Sequence, residues 1–189
     1  MSNKVKYGLE QVHIAFVDEQ GGYEAPESID GAVNFSASPE GDETEFYADN
    51  VKYFIDQFND GYTGDIELAN IPDDIISEML GMTIDDNEML VESVDDTPKE
   101  FALMAQMKGD SRDRRFVFYR CRAGRPDQEA NTTEGSIDPQ TDSLPLTMMP
   151  IDEEGDDYGV VRAVIEDTGD NTDAYDAFFD QVVMPNETI

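Results

Sequence analysis

One cysteine, one histidine and twelve basic residues are all that 189 positions hold of those types, and no apolar run reaches membrane-spanning length. Each scarcity removes a class of function. A lone Cys121 cannot close an intrachain disulfide, which suits synthesis in a reducing cytoplasm. It reads as a small hydrophobe buried in a strand. Cys/His zinc sites need at least three such ligands, and Cys121 and His13 are the only two. A spanning helix needs about 20 predominantly apolar residues, so no membrane partner is expected. The start, Met1-Ser2-Asn3-Lys4-Val5-Lys6, lacks the apolar centre of a secretory signal. Neither a G-x-x-x-x-G-K-[ST] phosphate loop nor a G-x-G-x-x-G fingerprint occurs, and no G-x-S-x-G elbow accompanies His13. A strand histidine among apolar neighbours reads as a packing or surface group. No catalytic residue, no cofactor and no enzyme activity are expected.

Negative charge is what the chain has in excess. Forty-four acidic residues against twelve basic ones give a formal net charge of −32. Such a surface repels phosphate, which disfavours tight binding to nucleic acid through its backbone. It also repels copies of itself, which favours solubility and opposes assembly. The acids are spread along the whole sequence and so decorate a folded surface. A salt-adapted host would favour the same surface. Ten Phe and eight Tyr supply a core that a disordered chain would lack.

Period-2 alternation dominates and, with two helical stretches, predicts a mainly β, α+β domain. Val33, Phe35 and Ala37 alternate with polar residues; Phe101, Leu103, Ala105 and Met107 share one face, and Val161, Ala163 and Ile165 another. Further strands are expected over Val12–Val17, Val51–Phe58, Tyr62–Ala69, Met89–Val94, Arg114–Arg122 and Leu144–Met149. A flanking helix is expected over Pro72–Leu80, with Asp73 and Asp74 at its positive end and Gly81 as its stop. Its apolar face holds Ile75, Ile76, Met79 and Leu80. A second helix is expected over Asp173–Val183, capped by Asn171 or Thr172 and ended by Pro185. There Tyr175, Phe178, Phe179 and Val182 form an apolar stripe that packs on the core or on a neighbouring subunit. Length predicts one domain over 1–189, with residues 1–10 as a flexible arm and 168–189 as a C-terminal helical segment. Residues 18–31 and 125–143 read as loops, with 131–134 as a possible edge strand.

Two clusters carry chemistry worth weighing. Arg112, Arg114, Arg115, Arg120, Arg122 and Arg125 place half of the basic residues within fourteen positions, among Phe116, Phe118 and Tyr119. Stranded arginines with aromatics between them imitate a single-strand nucleic-acid platform. In so acidic a chain, bidentate pairing with carboxylates of the same domain or of a neighbouring subunit is the favoured reading. The acidic runs at 85–88, 152–157 and 167–173 offer hard oxygen ligands, but without the glycine and glutamate spacing of an EF-hand loop they read as solvated loops.

The ordered motifs carry a resemblance. Gly8-Leu9 with Val12-His13-Ile14-Ala15, Gly31-Ala32-Val33, Phe46-Tyr47-Ala48-Asp49-Asn50 and Gly61-Tyr62-Thr63-Gly64 come first. Ile71-Pro72-Asp73-Asp74, Gly81, Phe101-Ala102-Leu103, Arg115 and Val117-Phe118-Tyr119-Arg120-Cys121 follow. In this order, over residues 5–165, the chain resembles the major tail tube proteins of long, non-contractile-tailed phages. The resemblance implies a β-sandwich or barrel-like tail tube fold with a flanking helix, self-assembling into stacked hexameric rings. It implies a place in the virion, manufacture in a host bacterial cytoplasm, and tape measure, tail tip and terminator proteins as partners. DNA would pass through the tube without being bound. Candidate bridges between rings are 1–9, 40–60 and 125–143. A secretion-system tube subunit shares that fold and assembly by resemblance, and an acidic calcium-binding β-sandwich module is the alternative from another class.

Overall fold

The computed structural model describes residues 8–41, 43–48, 51–110, 112–127, 141–151 and 159–185. In chain order these form β1 (Leu9–Phe16), β2 (Glu27–Ser28), β3 (Ala32–Glu40), β4 (Glu43–Ala48), β5 (Val51–Gln57) and β6 (Gly61–Leu68). Helix α1 (Asp73–Leu80) and the small strands β7 (Thr83–Ile84) and β8 (Leu90–Val91) follow. Then come β9 (Phe101–Met107), β10 (Arg115–Ala123), β11 (Asp142–Met149), β12 (Arg162–Ile165) and α2 (Thr172–Asp176), which tightens into a 3-10 turn at Ala177–Phe179. The protein is mainly β, as the alternation predicts.

The principal sheet is antiparallel and runs β2-β1-β9-β10-β11-β6-β3, with β12 paired to β10 beside that path. Its far strand β3 returns to lie against β1 without pairing to it, so the sheet is curled and barrel-like. Strand β10 is where it forks. Arg115–Phe118 pair with β12, and Arg120–Ala123 pair with β11. A β-bulge between Phe118 and Cys121 separates the two halves. One inserted residue reverses which face later side chains occupy. Phe116 and Phe118 therefore share the main core with Cys121 and Ala123, which uninterrupted alternation would place on the opposite face.

That main core lies inside the curl. Val12, Ile14, Phe16, Ile66, Leu68, Phe101, Leu103, Leu144 and Met148 fill it, and α1 closes it with Ile75, Met79 and Leu80. Each such side chain contributes about 1.5–3 kcal/mol on leaving water. The helix ends as its sequence dictates, with Gly81 left-handed at φ 73° and its N–H on the Ser77 carbonyl. Pro72 is the N-cap residue, so the helix begins one residue later than expected. The reverse face of the sheet is also covered. Ala15, Ala102, Met104, Val117 and Tyr119 pack beneath Phe178 and Val182. This double cover explains why every residue from Phe101 to Ala105 is buried.

Several expectations change at bulges and edges. Val33 does not share the face of Phe35 and Ala37: the register shifts between Ala32 and Asn34, and Val33 is 52% exposed. Met107 follows its strand out of the core and is partly exposed. Val161 packs with the main core while Ala163 and Ile165 pack on the reverse face, because β12 starts only at Arg162. Met89–Val94 contributes two strand residues, and residues 18–31 contain β2. The helix expected over 173–183 is short, since the Arg115 guanidinium occupies the Tyr175 carbonyl and the chain tightens after Asp176. Asn171 occupies the N-cap position, but its Oδ1 accepts from Thr168 N (2.9 Å) and not from the helix. Leu9 and Glu10 belong to β1 and not to an arm, while residues 1–7 lie outside the described residues. The possible edge strand at 131–134 and the acidic run at 152–157 also lie outside them.

Candidate functional site

The arginine-bearing strand finds its partners within the chain. Arg120 Nε donates to Glu100 Oε2 (2.6 Å) and Nη2 to Oε1 (3.1 Å), a bidentate pair. Arg122 Nη2 reaches the same Oε1 at 2.6 Å, so one carboxylate, 19% exposed, serves two guanidinium groups. Arg114 Nε donates to Asp110 Oδ2 (2.7 Å), the buried acid of the turn after β9. Arg112 lies 3.4 Å from Glu166, and Arg125 Nε lies 2.6 Å from Glu92. Arg115 differs: its guanidinium lies over the rings of Tyr175 (3.9 Å) and Phe179 (4.8 Å) and donates to the Tyr175 carbonyl. The strand is thus clamped to β9, to the segment before it and to the C-terminal cap. All five candidates for intersubunit pairing (Arg112, Arg114, Arg115, Arg120 and Arg122) have partners in their own chain.

Tyr175, Phe178, Phe179 and Val182 lie against their own sheet. Phe178 and Val182 enter the reverse-face cluster, Tyr175 is buried under Arg115, and Phe179 stacks on His13 (4.6 Å between centroids, 25° between planes). Tyr119 joins this cap to the bulge by donating its hydroxyl to the Val183 carbonyl (2.9 Å). Its own carbonyl accepts from the Tyr23 hydroxyl (3.0 Å). The sequence marks Tyr119 only as an aromatic of the arginine strand and Tyr23 not at all, because the bulge that turns Tyr119 toward the cap depends on register with β9.

His13 lies at the rim of an open groove of about 490 Å³ that Glu10, Ser28, Asp30 and Phe179 also line. Its Nδ1 donates to the Gln11 carbonyl (3.0 Å), beside a bulge where Gln11 takes φ 53°. A nucleophilic triad would instead need a carboxylate on one ring nitrogen and a hydroxyl on the other. Cys121 is fully buried, its thiol pushed up by burial, and its Sγ faces the Phe118 carbonyl at 3.6 Å. A thiol held protonated is a poor nucleophile.

The acidic turn at 85–88 is self-contained. Asp85 Oδ1 accepts from the backbone N–H of Asn87 (2.8 Å) and of Met89 (2.9 Å), and the Met89 bond leads in holding its carboxyl below the usual aspartate range. Asp167 Oδ1 likewise accepts from Gly169 N (2.9 Å) and the Thr172 hydroxyl (3.1 Å). Among the described residues no three His, Cys, Asp or Glu side chains converge as a metal site would need. None of their helices is long and apolar enough to cross a membrane.

A second groove, of about 230 Å³, opens at the fork between Phe35 of β3 and Phe116, Phe118, Arg162 and Val164 of β10 and β12. Arg162 lies over Phe118 (5.7 Å) and Tyr62 (5.8 Å). What emerges is a mainly β protein in which the arginines of residues 112–125 serve its own fold. No known protein-family model matches the chain, and no curated protein is detectably similar to it.

Proposed function

We propose that this chain is a self-assembling structural subunit of a long-tailed phage, forming stacked hexameric rings that make the DNA-conducting tail tube. The observation that carries the reading is the placement of β4 and β5. They connect the adjacent strands β3 and β6, pair among the described residues only with each other, and so form a hairpin apart from the principal sheet. A hairpin of six and seven residues inserted between neighbouring strands has no part in the main ladder. It is a means of reaching another subunit, and it lies within the 40–60 stretch favoured as a ring bridge. Among the described residues β3 and β12 lie at edges of the curled sheet, and edge pairing between copies could continue it around a lumen. Net charge of −32 would let phosphate slide past an inward wall without sticking.

Negative-stain electron microscopy of the purified chain, at high concentration and across an ionic-strength series, tests this reading. Rings or tubes are expected. A protein that stays monomeric throughout would overturn it.

A further inference from the structure

We infer that copies of this chain associate head to tail, the β7–β8 hairpin of one copy seated in the Arg162 groove of the next. This rests on the self-assembly reading above and gives it a specific contact. The hairpin and the residues after it expose Ile84, Met89, Leu90, Val91 and Val94, the last at 91%. Five large apolar side chains so close together on an exposed, acidic turn mark an interaction surface. The turn is also held in shape. Asp85 ties down the amides of Asn87 and Met89, and Asp96 Oδ2 accepts from Ser93 N (2.6 Å). A preformed surface loses less conformational freedom on docking.

The groove has the complementary character. Phe35, Phe116, Phe118 and Val164 give it apolar walls, Val164 is 45% exposed, and the Asp110 carboxylate that also lines it is paired with Arg114. The Arg162 guanidinium lies over the rings of Phe118 and neighbouring Tyr62 with neither a hydrogen bond nor an ion pair among the described residues. On the hairpin, Asp86 and Glu88 are exposed and have no cationic partner among the described residues. An acidic turn flanked by apolar side chains therefore matches a largely apolar groove whose Arg162 guanidinium has no carboxylate partner among the described residues. In a chain this acidic, the second copy supplies both halves of that match.

Position excludes the contact within one chain. Arg125, just past the end of β10, donates to the Ser93 carbonyl (3.0 Å) and pairs with Glu92, holding the hairpin's base at that end. The groove lies at the other end, where β10 begins with Arg115 and Phe116. Nine strand residues at about 3.3 Å each separate them by roughly 30 Å. A patch and its acceptor at opposite ends of one molecule make a heterologous contact, which repeats into rings or filaments.

Single-cysteine additions test this in the full chain, because Cys121 is buried and stays out of the reaction. Val91→Cys and Val164→Cys proteins, mixed under mild oxidant across an ionic-strength series, should form disulfide-linked dimers much faster than either alone. Arg162→Glu and Val91→Asp should each weaken self-association, measured by sedimentation, about tenfold. Rings or tubes without this crosslink, and unaffected by Arg162→Glu, would overturn the contact and leave the tube reading standing. The crosslink without rings or tubes would support the contact and overturn the tube. No association at any salt would overturn both.

Discussion

At the scale of single residues, environment decides what each group can do. Cys121 sits at 0% exposure in β10, and burial holds its thiol protonated well above the ordinary cysteine range. The native protein is expected to react with a disulfide reagent only as fast as it unfolds, and stoichiometrically once denatured. Rapid labelling of the native chain would contradict that burial. Gly64 shows the opposite dependence, on space. A Cβ there would lie 1.9 Å from the Ser36 carbonyl oxygen, because β3 and β6 approach across a position with no side chain. Gly64→Ala should destabilise by about 1–3 kcal/mol through forced separation of the two strands, read as a lower urea midpoint. The Gly61-Tyr62-Thr63-Gly64 motif was visible in the sequence. Which backbone it admits was not, since that depends on a strand some thirty positions earlier.

At the scale of elements, charge serves to fasten strands and loops. Glu100 precedes β9 and holds both Arg120 and Arg122 across the fork of β10. Glu100→Gln leaves two half-buried guanidinium groups short of their counter-charge and should cost about 2 kcal/mol, measured by denaturant unfolding. Lys99 is the neighbouring fastener. It joins Glu24 of the first loop (2.9 Å) to Glu78 of α1 and lies 5.0 Å from the Phe16 ring centroid. Burial alone would lower its pKa, but the carboxylates outweigh this and raise it above the ordinary lysine value. A raised folded-state pKa means the contribution is fully present below the unfolded value and is lost as pH rises through the folded one. Lys99→Met should therefore be less stable than the parent at pH 7, with the difference shrinking in strongly alkaline solution. With Lys99 one-third exposed, the neutral-pH difference should stay near 1 kcal/mol or below.

At the scale of the molecule, the −32 net charge sets behaviour in salt. Self-repulsion opposes the compact state, and salt shortens its reach from about 10 Å at 0.1 M to about 3 Å at 1 M. The melting temperature should rise over that range. A fall would mean that in-chain pairs such as Arg120–Glu100 outweigh the general repulsion. The same screening would favour the head-to-tail contact, whose large component is apolar.

Local chemistry by itself determined the mainly β character, most strand positions and the stop of α1 at Gly81, because alternation and αL geometry are properties of a few adjacent residues. It also favoured carboxylate partners for the arginine cluster, since twelve basic groups sit among forty-four acids, although Arg115 meets two aromatic rings and the Tyr175 carbonyl instead. Only the tertiary structure decided which carboxylates those are, and that the bulge at Tyr119–Arg120 turns the strand's faces over. It alone decided that Tyr175, Phe178 and Val182 cover the reverse side of β9 and β10. Those outcomes depend on register between strands far apart in sequence, where one inserted residue exchanges inside for outside and leaves composition unchanged.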